Sequence, residues 1–146
     1  MIWPAVVGDD QQEVGYARVK NVSGAAFARG DVVAWDVSSP DGIRVSTPAT
    51  ATLGLAVGVL AAALANGAYG PCQVYGYTAY AYVTNHATQA IAAGDILIAV
   101  DAGTHLARSG PSDGKSGWFH AAEAVAAITT TTLAAKALKK VIIRAA

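Results

Sequence analysis

Charge is scarce in this chain. Only 14% of its 146 residues are charged, against a usual share of about 25%, and ten basic side chains balance ten acidic ones. That shortage argues against a polyanionic partner such as DNA, which calls for clustered Lys and Arg. Between Arg44 and Arg108 there is no Lys or Arg at all, so no nucleic-acid partner is expected. A monomer normally keeps more surface charge, and some net charge, to stay dispersed. The balance therefore points to a surface covered by something else.

Other absences narrow the field. A single cysteine, Cys72, allows no internal disulfide and implies no oxidising compartment. No apolar run reaches the length of about eighteen residues that a membrane span needs. The longest, "LGLAVGVLAAALA" (53–65), is broken by Gly54 and Gly58. The opening "MIWPAVVGDD" lacks a basic region ahead of a hydrophobic core, unlike a signal peptide. Chemistry-bearing clusters are missing too. His86, His105 and His120 fall in different segments with no metal-ligand spacing. Cys72, following Pro71, reads as a small buried hydrophobe. Asp31, Asp36, Asp95 and Asp101 sit at strand ends as turn caps, not gathered in a loop of about twelve residues as a Ca²⁺ site requires. "ANGAYG" (65–70) has no Lys-Ser/Thr to make a phosphate loop. No enzymatic activity, metal or cofactor is expected. An enzyme would need Cys72 or an Asp pair brought beside a His.

What is present is the punctuation of a β protein. Alanine supplies 33 residues, which alone favours helix. Yet Val, Ile, Thr and Tyr recur between closely spaced glycines, the pattern of short strands and turns. Strands are expected over 15–24, 31–37, 43–47, 53–60, 71–83, 92–101, 118–126 and 139–145, some eight to ten in all. In "GYARVKNVSG" (15–24), Tyr16, Arg18 and Lys20 alternate against Ala17 and Val19. In 71–83, Val74, Gly76, Thr78, Tyr80 and Tyr82 fall on one side, and Tyr75, Tyr77, Ala79, Ala81 and Val83 on the other. The sum is an all-β fold, a compact β-barrel or β-tulip-like domain spanning 14–146. An extended N-terminal arm, 1–13, precedes it, with Trp3-Pro4 setting the extended start.

Arg29-Gly30-Asp31 matches a tripeptide that adhesive proteins present to receptors. However, "ARGDVVAWD" (28–36) is echoed by "AAGDILIAVD" (92–101), with Ala93 in place of Arg29. Glycine permits the positive φ of a tight turn, and the following Asp can bond local amides as a strand begins. This structural reading covers both copies, whereas receptor recognition covers one. The tripeptide is read as coincidence. The repeated unit is a turn, a strand, a hairpin and a strand.

"GYARVKNVSGAAFARGDVVAWD", "LGLAVGV", "GPCQVYGYTAYAYV", "AAGDILIAVDAGTHLARS" and "KKVIIRA" together resemble small capsid decoration, or cement, proteins of tailed bacteriophages. The matching features are the turn at Asn21–Gly24, Gly30-Asp31, the strand entry at 70–76, Gly94-Asp95 and the apolar last strand, spanning most of 15–144. The resemblance implies a non-enzymatic virion structural protein on the outer capsid surface, assembled in the host cytoplasm. Its partner would be the major capsid protein, with self-association as a homotrimer or other homo-oligomer. Met1, Ile2, Trp3 and Pro4 of the arm are expected as assembly contacts, the arm adding to a neighbour's sheet edge. Tyr75, Tyr77, Tyr80 and Tyr82 are expected as further contacts, since tyrosine favours protein interfaces. The alternative is a head-fibre or tail-associated module that uses these tyrosines to hold a host glycan.

Overall fold

Among the described residues, alternating short runs of β-branched and aromatic residues form nine strands. These are β1 (Gly15–Asn21), β2 (Val32–Trp35), β3 (Arg44–Ser46), β4 (Ala56–Leu60), β5 (Tyr69–Val83), β6 (Ile96–Ala99), β7 (Leu106–Arg108), β8 (Phe119–Ala121) and β9 (Ala137–Ile143). The computed structural model describes residues 13–84, 90–108, 119–125 and 137–144. Met1, Ile2, Trp3, Pro4, His86 and the 109–117 loop lie outside the described residues. The all-β, barrel-type architecture is as the sequence led us to expect.

The ladder closes on itself twice. β1, β3, β2, β4 and β5 form one five-stranded ring, sealed by β1–β5 pairing, and β5, β7, β6, β8 and β9 form another, sealed by β5–β9 pairing. The two rings have the same topology. Each holds one parallel contact, β1–β3 and β5–β7, and otherwise antiparallel ones. The repeat seen in the sequence at Gly30-Asp31 and Gly94-Asp95 thus extends to a whole ring. Phe27 and Leu64 exchange backbone hydrogen bonds of 2.9 and 2.9 Å, and Ile91 and Val125 exchange bonds of 2.9 and 2.8 Å at the matching place. The cores correspond as well. Val33 matches Leu97, Val45 matches Leu106, and Phe27 matches Ile91, all buried. Where the first ring opposes Leu60 to Cys72, the second opposes Ala121 to Val141. A large-small pair becomes a small-large one, which keeps the filled volume similar, as a close-packed interior demands.

β5 serves both rings. Its first half pairs with β1 and β4, its second half with β9 and β7. Gly76 lies between the halves at φ 95°. A side chain there would run into Glu13 O and Val14, so glycine satisfies both a left-handed backbone and a close approach. A register shift between Thr78 and Ala81 corrects the simple alternation expected for this strand. Thr78 turns inward, whereas Tyr80 and Tyr82 face outward. An extra residue in one strand of a pair has this effect.

One further expectation needs correction. The strand anticipated over 53–60 begins only at Ala56, because residues Thr50–Leu55 form a 3₁₀ turn. There the Thr52 hydroxyl accepts a bond from Ala49 N–H at 2.9 Å and donates to Ala49 O at 3.2 Å. Such local bonding competes with a sheet ladder. Both rings close, so each strand among the described residues has a neighbour on either side.

The rings meet through the Gly30–Val32 segment. In the first ring Lys20 N–H donates directly to Ile43 O at 2.8 Å. In the second ring the corresponding groups, Tyr82 N–H and Thr104 O, are held apart. Tyr82 N–H donates to Gly30 O at 3.0 Å, and Thr104 O accepts from Val32 N–H at 2.8 Å. The first ring's strand entry is therefore wedged between β5 and β7. A Cβ on Gly30 would collide with Tyr80 O and approach Leu138 at 2.8 Å, whereas one on Gly94 would meet nothing within 4 Å. Both glycines have φ near 90° (93° and 94°), so alanine strains either backbone by about 1–2 kcal/mol. Gly94→Ala should lose about that much in urea unfolding. Gly30→Ala should lose more than about 3 kcal/mol, since the inter-ring clash adds to the strain; equal losses would refute the wedge.

Candidate assembly surface

Side chains alternate across a strand, so a barrel wall whose inward residues are buried presents its other residues to solvent. On β1 the outward set is Tyr16, Arg18 and Lys20, with Val19 and Asn21 buried behind them. Five of the eight exposed large apolar side chains among the described residues lie on β1, β5 and β9: Tyr16, Tyr69, Tyr80, Leu138 and Ile142. These strands are neighbours in the order β1–β5–β9, so the exposed apolar surface gathers on one band of the wall.

The expected contact tyrosines all fall on β5. Tyr80 is 45% exposed, and Tyr75, Tyr77 and Tyr82 are half-buried. None enters the core. Tyr16 and Tyr69 are the most exposed tyrosines, at 56% and 51%.

Cations are stacked on this aromatic band. The Arg18 guanidinium lies 4.6 Å from the centroid of the Tyr69 ring, with Lys20 Nζ at 5.5 Å. Their meeting follows from the β1–β5 register, which sets Lys20 opposite Tyr69 and Arg18 opposite Pro71. Arg29 stacks 3.7 Å from the Tyr80 centroid. Such contacts are worth about 0.5–1 kcal/mol each at exposed sites, enough to bias a flexible side chain toward one pose. Tyr16, Arg29, Tyr77 and Tyr80 converge on a cleft of about 290 Å³, into which Val14 and Ala79 also face. Alternation of Tyr16, Arg18 and Lys20 was readable from the sequence; that Arg29 joins the same band was not.

The Arg29-Gly30-Asp31 tripeptide is spent on the fold. Gly30 and Asp31 are buried, and the Asp31 carboxylate accepts from Ala28 N–H at 2.7 Å. Asp95 accepts from Ala92 N–H at 2.9 Å in the same way. Asp36 accepts from Ser38 N–H at 3.1 Å. Among the described residues no group of three or more His, Cys, Asp and Glu gathers as metal ligands would. An apolar cleft of about 410 Å³ lies where the rings join, lined by Trp35, Leu55, Val57, Val74, Phe119 and others.

Cys72 is fully buried in the first ring. Burial pushes its thiol from 9.0 up to about 12, the opposite of the depressed value that a nucleophilic cysteine needs. Below pH 9 the thiol is neutral in folded and unfolded chains alike. Between 9 and about 12 the unfolded chain releases its proton and the folded one keeps it, so stability should fall across that window. Native protein at pH 8 should react with a thiol reagent only as fast as it unfolds; rapid labelling would show the thiol to be accessible. Compared with known proteins, the chain matches no family model and no curated protein.

Proposed function

We propose that this protein is a non-enzymatic structural subunit of a phage virion that binds the outer surface of the capsid and stabilises it. Its partner in that reading is the major capsid protein, and it acts as a homotrimer or other homo-oligomer on the capsid surface. The observation that carries the reading furthest is the gathering of exposed tyrosine, leucine and isoleucine on the β1–β5–β9 band. Apolar and aromatic side chains concentrated on one side of a weakly charged protein are the material of an interface. A subunit that strengthens a shell needs buried contact area and no chemistry of its own, and a double closed ring supplies a stiff platform for it.

The second reading, a head-fibre or tail-associated module holding a host glycan, draws on the cleft formed by Tyr16, Tyr77 and Tyr80. Sugar rings need open aromatic faces, and Arg29 already covers one face of Tyr80, so assembly is the better supported of the two.

Sedimentation from the native source through a density gradient, with mass spectrometry of the fractions, separates them. Many copies co-migrating with DNA-filled particles are expected; a few copies would favour the fibre or tail reading. A protein that stays at the top of the gradient would defeat assembly altogether. Tyr80→Ala should abolish particle binding while leaving the thermal unfolding of the isolated protein nearly unchanged, because that side chain is exposed. Retained binding would remove Tyr80 from the interface.

A further inference from the structure

We propose that the cations of the β1–β5 wall form a docking surface for a carboxylate-bearing protein partner. This rests on the reading of the protein as an assembly subunit. Arg18 and Lys20 are stacked on Tyr69, and Arg29 on Tyr80. Among the described residues none of the three pairs with a carboxylate. The ion pairs there are Arg44–Asp41 at 3.1 Å and Arg108–Asp95 at 3.3 Å, which belong to the β2–β3 and β6–β7 segments. In a chain with so few charges, three unpaired cations on one band are a concentration of positive charge that the fold itself does not use.

The partner's chemistry follows from how the cations are held. A guanidinium held over an aromatic ring by its π face leaves N–H donors that no carboxylate among the described residues takes up, and a guanidinium edge matches a carboxylate two bonds at a time. Stacking reduces the side-chain freedom lost on binding. Arginine and tyrosine together are also the residue types that dominate binding energy at protein interfaces. A nucleic-acid strand fits less well. It would need ring faces for its bases, and here cations occupy them on Tyr69 and Tyr80. Three cations also fall short of the 6–10 or so phosphate contacts that give strong backbone binding. Tyr80 and Leu138, exposed beside Arg29, add the apolar contact that a protein partner rewards.

Two arms test this with the full-length protein. In the first, poly-L-glutamate, oligothymidylate and neutral dextran are titrated against it, read by intrinsic fluorescence. Poly-L-glutamate should bind most tightly. R18Q/K20Q and R29Q should each weaken that binding by about tenfold or more, as should raising salt from about 20 to about 200 mM. No binding to poly-L-glutamate at low salt, binding untouched by the substitutions, or tighter binding to oligothymidylate would each overturn the proposal. In the second arm, wild type and R18Q/K20Q are sedimented with particles of the native source, after thermal unfolding has shown that both are folded. Loss of co-sedimentation by the variant alone, and by wild type at high salt, supports the docking surface. Equal co-sedimentation of both overturns it and leaves the assembly reading standing. If wild type itself does not co-sediment, the assembly reading has failed, and the particle-docking proposal fails with it.

Discussion

A single strand, β5, has to complete the hydrogen bonding of four others, and that demand shapes the rest of the molecule. β1 and β4 take its first half and β7 and β9 its second. A straight ribbon cannot wrap two rings at once. The strand therefore bends where its backbone is free to bend, at Gly76 (φ 95°), and shifts register between Thr78 and Ala81. Between these points Thr78 is drawn inward and Tyr80 is pushed out. The exposed tyrosine of the candidate interface is thus a consequence of ring closure, as the bulge re-aims one side chain.

The two rings repeat each other inside and differ outside. Several of their buried positions correspond, down to the exchange of Leu60 and Cys72 for Ala121 and Val141, because an interior packed to crystal density tolerates only changes that conserve volume. Their outer walls carry no such constraint. Arg18 and Lys20 on β1 correspond to Tyr80 and Tyr82 on β5, so one wall is cationic and its counterpart aromatic. The repeat also breaks where the rings join. Lys20 N–H and Ile43 O bond each other, while their counterparts Tyr82 N–H and Thr104 O are spread around Gly30 and Val32. The first ring is shut at the place where the second is opened.

This arrangement explains how a charge-balanced chain acquires a directional surface. The wedge at Gly30 carries its neighbour Arg29 against Tyr80, and the β1–β5 register sets Lys20 opposite Tyr69 with Arg18 beside it. Several acidic groups among the described residues are engaged elsewhere. Asp31 and Asp95 satisfy amides at the strand entries. Asp41 binds Arg44 N–H and Ile43 N–H, which hold its carboxyl below its usual range. What is left exposed on the β1–β5 wall is positive and aromatic.

The residues alone determined much of this. Period-two alternation between glycines required strands and an all-β fold, because only that period buries one side of each short run. The paired Gly-Asp segments required two like turns, since left-handed glycine and an amide-capping aspartate are local chemistry. Alternation on β1 already placed Tyr16, Arg18 and Lys20 together. Other features depended on contacts between distant segments, which no local pattern encodes. Only the tertiary structure decided that the repeat is a closed ring, that β5 belongs to both rings, and that Leu53 opens no strand because Thr52 bonds Ala49. The same holds for the collision that makes Gly30 irreplaceable while Gly94 stands in open space. Their sequences and backbone angles are alike, and only what packs against them differs.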